Sequence, residues 1–249
     1  MKTFASCLFI SLFSTGFING AHQGYGDSVR VRFRATVNGQ PLKFDSTYTN
    51  SFGEDFTVTA FRFYVGHLAL NNSNNTWVKS RTAYHLVDAK ISTSEIIEIP
   101  RGTKKITKLK FQVGVDSLDN VSGAQDGDLD PAHGMFWTWN TGYVMAKLEG
   151  NSSFSKVPTG SFTYHIGGYK GVDKAIRNIE LSISNEMAIA ILQSKTDDLI
   201  VDVEIGKWFD SVHPLKIAEK SFVHGPGPTA KLYADNYSTM FSIANDMKP

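Results

Sequence analysis

The stretch VRVRFRATVNGQ, residues 29–40, decides the fold class. Val29, Val31 and Phe33 alternate with Arg30, Arg32 and Arg34. An extended chain therefore puts the apolar side chains on one face and the guanidinium groups on the other. A period of two specifies a half-buried strand rather than a helix. Asn38-Gly39 follows, and both residue types accept positive φ, the mark of a tight type I′ hairpin turn.

The alternation recurs at 55–70, 76–89, 107–116, 142–150, 161–168, 176–184 and 198–205, with turn clusters such as NNSNN and GNSS between the runs. So many strands without intervening amphipathic helices predict an all-β fold, an antiparallel β-sandwich. The end of the chain departs from the pattern. TAKLYADNYSTMFSIANDM (229–247) carries Leu232, Met240, Phe241 and Ile243 at near-helical spacing, with Thr229 as an N-cap. This predicts a short C-terminal helix closing one end of the sandwich.

Lys2, the apolar run FASCLFISLFSTGFI and the small residues of NGA read as an export signal over residues 1–21. At about 15 residues the run is short for a bilayer span, so a periplasmic, secreted or cell-surface location is expected. The remaining chain, 22–249, with 41% apolar residues overall, suits one domain and a monomer. A net charge of +1 with interspersed signs gives no field for nucleic acid and no basic patch for a membrane surface. The only cysteine, Cys7, lies in the signal. Disulfides, thiolate metal sites and cysteine nucleophiles are thereby excluded from the mature chain.

Chemistry gathers in DPAHGMFWTWNTGYVMAKLEG, residues 130–150, which holds Trp137 and Trp139, two of the four tryptophans. If extended, it points Met135, Trp137 and Trp139 to one face, which is either a core stripe or an unusual concentration of indole beside the DPAHG turn. His133 and Met135 stand just before the tryptophans, and His165 lies in FTYHIGG, where two glycines permit close approach of a ligand or backbone. Imidazole with thioether suits copper better than it suits magnesium or calcium. His22 would join a free amine if cleavage falls after Ala21. His67 and His85 read as satisfied strand positions, and His213 and His224 as loop residues in a Pro/Gly-rich tail. The acidic loop 116–131, with Asp126, Asp128 and Asp130, is a calcium candidate that lacks EF-hand spacing.

GMFWTWNTGYVMAKLEG, preceded by DGDLDPAHG and followed by FTYHIGG, resembles the MbnP-like family of exported copper-binding proteins. FRFYVGHLAL, YHLVDA and KLYADNYSTMFSI are similar too, so the resemblance extends over about residues 28–245. It implies a β-sandwich exported to the periplasm or cell surface. It also implies a copper site of two histidines and a tryptophan oxidised to kynurenine, the oxidation being made by a di-haem peroxidase-like partner. Carried across, Trp137 or Trp139 is the modified residue and His165 one ligand, with His133 the near candidate for the other. His67 departs from the small polar residue expected at its position. Two other readings remain open: a sandwich module stacking a glycan or cell-envelope partner on its tryptophans, and a hydrolase using paired aspartates. Known catalytic signatures such as G-x-S-x-G and H-E-x-x-H are missing, which makes a binding function the leading expectation.

Overall fold

The computed structural model describes residues 28–137 and 142–244. Trp139, His22 and the signal stretch 1–21 lie outside the described residues. The strands, in chain order, are β1 (Ser28–Val37), β2 (Asp55–Asn72), β3 (Tyr84–Asp88), β4 (Ile96–Pro100), β5 (Ile106–Val113), β6 (Gly142–Asn151), β7 (Ser161–Gly167), β8 (Arg177–Ser182), β9 (Asp198–Glu204), β10 (Phe222–Gly225) and β11 (Phe241–Ile243). Pieces of two or three residues extend them. The helices are α1 (Ser117–Val121), α2 (Asn185–Leu192) and α3 (Pro228–Tyr237).

β1 behaves as its sequence dictates. Val29, Val31 and Phe33 are fully buried, and Arg30 and Arg34 pair with Asp198 and Asp202 across the neighbouring strand. The Asn38-Gly39 turn has φ of 53° and 72°, as a type I′ hairpin requires. In the smaller sheet β1 lies between β4 and β9, and β11 pairs the outer side of β9. The larger sheet runs β8-β5-β2-β6-β7-β10, with β3 also paired to β2.

The expected sandwich forms, with one difference. β1 pairs β9 in parallel, and β7 pairs β10 in parallel. A hairpin cannot make such pairs. They need long crossovers, so the partners come from distant parts of the chain and leave no local mark in the sequence. Phe33 and Phe241 from the smaller sheet meet Phe63 and Phe111 from the larger one edge to face. Phe33 lies 5.2 Å from Phe111, and Phe241 lies 5.0 Å from Phe111 and 5.6 Å from Phe63. These rings join the two layers into one core.

The C-terminal helix is shorter than expected. α3 starts at Pro228 behind Gly227, not behind Thr229, and stops at Tyr237. Met240 is buried, and Phe241 and Ile243 alternate with Ser242 to make β11 against β9. The apolar spacing of that tail therefore belongs to two elements. Asp235 fixes α3 by accepting from Arg177, Lys231 and His213.

Candidate metal centre

β7 and β10 build the candidate centre. Tyr164 and Ile166 point into the core, which turns Thr163 and His165 to the outer face of the larger sheet. On β10, buried Val223 likewise turns Phe222 and His224 outward. The parallel register sets His165 directly against His224. Their rings stack with centroids 3.9 Å apart and planes within 9°, and Phe222 flanks His224 at 4.1 Å.

Glu149 on β6 completes the group. Its Oε1 lies 2.6 Å from Nε2 of His165 and 3.5 Å from Nζ of Lys147. The hydrogen bond from His165 holds the Glu149 carboxyl down at about 2, against a smaller opposing push from burial. As a carboxylate Glu149 only accepts, so Nε2 of His165 carries the proton and donates it. In neutral His165 the free lone pair is then on Nδ1. Burial, followed by the neighbouring His165, pushes His224 down to about 4, which keeps that ring neutral at neutral pH. Nε2 of His224 is buried and has no hydrogen-bond partner.

The row continues across the sheet as His224, His165, Lys147, Arg62 and Asp88. His133 sits above its far part. Its carbonyl accepts from Arg62, and its ring Nε2 bonds the Gly127 carbonyl at 3.1 Å. Arg62 lies two strands from His165, roughly 10 Å away in backbone spacing. The structure therefore pairs His165 with His224, a residue whose Pro/Gly-rich surroundings predict an exposed loop, and engages His133 elsewhere. The alternation of Phe222, Val223 and His224 was the available signal, masked by the glycines and prolines after it.

Met135 is fully buried, and its carbonyl accepts from Val144. Its thioether packs in the core. Trp137 is 9% exposed and leans on β7. A Cβ at Gly167 would collide with the six-membered part of its indole, so the glycine is what lets the ring come up against the strand. Gly167 shares the outer face with His165, one pleat repeat along.

The aspartates do separate jobs. Asp128 accepts from the Leu86 N–H, Asp130 accepts from the Ala132 N–H, and Asp126 precedes a single turn at Gly127–Leu129. That arrangement lends the calcium expectation no support. Among the described residues no group of three or more His, Cys, Asp or Glu is arranged to hold a metal ion. Any further donor to a centre built on His165 and His224 would therefore come from another kind of residue.

No helix among the described residues is long and apolar enough to cross a membrane. A search of curated proteins matches none to this sequence. Among solved structures, MbnP from Methylosinus trichosporium is similar, with a TM-score of 0.55 and 17% identity over 80% of each chain. At that identity the likeness speaks for the fold. The sequence itself matches the family model MbnP over residues 26–227, a span that takes in the W-x-W segment, His165 and His224 and ends just before α3. By that match, the chain belongs to the MbnP family.

Proposed function

We propose that this protein is an exported copper-binding protein whose centre is the pair His165 and His224, with Trp137 or Trp139 supplying the remaining donor after oxidation to kynurenine. The observation that carries the reading is the stacked pair itself, in which His224 keeps a buried ring nitrogen without a hydrogen-bond partner. A buried polar atom left unsatisfied costs on the order of 1–3 kcal/mol, so its retention favours a ligand that would use it.

The residues fit copper in kind. Neutral imidazoles suit copper, and carboxylates, which favour harder ions, are not the leading donors here. Glu149 orients His165, the part that carboxylates commonly play behind a metal-bound imidazole. Kynurenine would contribute an aniline nitrogen and a ketone oxygen, donors that indole lacks. Because stacking leaves the in-plane lone pairs of the two rings in separate, nearly parallel planes, one ring must turn for both to serve a single ion. Copper is the cargo in this reading, sequestered or handed on, and a di-haem peroxidase-like partner would carry out the tryptophan oxidation. Export to the periplasm or cell surface, through the signal over 1–21, belongs to the same proposal.

The test has two parts. Natively expressed protein should bind about one copper per chain, and binding should be lost in His224→Ala. Mass spectrometry of the tryptic peptide 111–147 should show a gain of roughly 4 Da at one tryptophan. Wild-type copper binding by His224→Ala would overturn the site. An unmodified peptide in copper-loaded protein would remove kynurenine from it.

A further inference from the structure

A cavity of about 480 Å³ opens beside the imidazole pair, and none of His165, His224 and Glu149 lines it. Its lining includes Trp137, Tyr143, Tyr169, Lys170, Asp173 and Pro226, with glycine backbone between them. Trp137 and Tyr143 are nearly buried and so lie deep, whereas Lys170 is exposed and stands at the mouth.

The walls are set before any ligand arrives. The Ala175 N–H donates to the Gly168 carbonyl at 2.8 Å, closing the loop that carries Tyr169, Lys170 and Asp173. Gly168 has φ of 125°, and a Cβ there would stand 3.0 Å from the Asp173 carbonyl, so this closure depends on glycine. Ser117 Oγ donates to the Tyr169 carbonyl at 2.7 Å and ties the loop to α1. A preformed, aromatic hollow of this size with a few polar groups is the usual form of a small-molecule site.

The charges narrow the ligand. Lys170 lies 5.4 Å from the Tyr169 ring centroid, and neither Lys170 nor Asp173 makes an ion pair among the described residues. One ammonium and one carboxylate, neither held in an ion pair among the described residues, therefore share an aromatic cavity. We propose that the cavity binds a free aromatic α-amino acid, whose carboxylate meets Lys170, whose ammonium meets Asp173, and whose ring enters between Tyr169 and Trp137.

Calorimetric titration of the copper-free mature protein with L-phenylalanine, phenethylamine and 3-phenylpropionate tests this. L-Phenylalanine should bind at one site, and each analogue, lacking one charge, about tenfold more weakly. Lys170→Gln should bring L-phenylalanine down to the level of phenethylamine while leaving phenethylamine itself unchanged. Asp173→Asn should do the same relative to 3-phenylpropionate. His165→Ala removes a proposed copper donor that does not line the cavity, so it should bind L-phenylalanine like wild type; Trp137 borders both sites. Thermal melting verifies that the loop variants remain folded. No saturable heat with L-phenylalanine up to about 5 mM would overturn the proposal. So would analogues binding as tightly as the amino acid, which would mark an anchor for an apolar side chain, or wild-type affinity in both loop variants.

Discussion

Two histidine clusters in this protein differ in how completely their polar atoms are matched. Around His67, Nε2 meets Asp116 at 3.0 Å and the Tyr84 hydroxyl at 3.2 Å, and that hydroxyl donates to Asp119 at 2.8 Å. Asp116 also caps α1. Burial and then the bond to Asp119 push the Tyr84 phenol up. Asp116 is held below its ordinary value because its bonds to His67 and Tyr84 outweigh burial. His67 itself has φ of 53° at a bulge in β2, where the register against β5 shifts between Gly66 and Ala69. The closed network offsets that strain. Around His165, by contrast, one imidazole is anchored by Glu149 and the other retains an unmatched buried nitrogen. The first cluster holds a bend, and the second is the better place for a ligand.

Removing each histidine separates these roles. His165→Ala and His224→Ala should each weaken Cu(I) binding at least about 100-fold in competition with a chromophoric chelator, since each deletes a proposed donor. His67→Ala should change it by less than about threefold. Equal losses in all three would abolish the distinction. Glu149→Gln should have the next largest effect, a loss of roughly tenfold to a hundredfold, because an amide holds the His165 tautomer less firmly than a carboxylate. Asp116→Ala acts on the other cluster. It should cost about 1–2 kcal/mol in chemical denaturation, through the lost α1 cap and the lost His67 partner, and leave copper affinity unchanged.

The parts that the sequence made legible are those set by local chemistry. The period-two runs located β1, β2, β6, β7 and β9, and Asn38-Gly39 announced its own turn. His165 could be singled out because Gly167 and Gly168 follow it. His224 could not, because its neighbour His165 is supplied by a parallel pairing, and no spacing in FVHGPGP encodes that partner. Nearness to the tryptophans along the chain points to His133 and Met135. Folding instead sent Met135 into the core and turned His133 toward Gly127. Sequence adjacency misleads in a sheet whenever the nearest neighbour in space lies on another strand.

Acid offers the gentlest way to probe the difference. His224 is held down at about 4, so between the ordinary histidine value of 6.5 and 4 the unfolded chain takes a proton that the folded chain does not. The stability that His224 contributes is therefore complete above pH 6.5 and is lost as pH falls through that window. His85, also held below its ordinary value by burial despite nearby Asp128, acts with the same sign. Glu149, depressed to about 2, keeps its contribution until pH drops below its ordinary value of 4.5, and Asp116 holds its own until below 3.8. Denaturation midpoints of copper-free protein should accordingly decline from pH 6.5 to 4, and His224→Asn should flatten the decline without erasing it, because His85 remains. An unchanged slope in His224→Asn would mean that the stacked pair admits a proton as readily as the unfolded chain does. In that event burial beside His165 would not oppose the charging of His224.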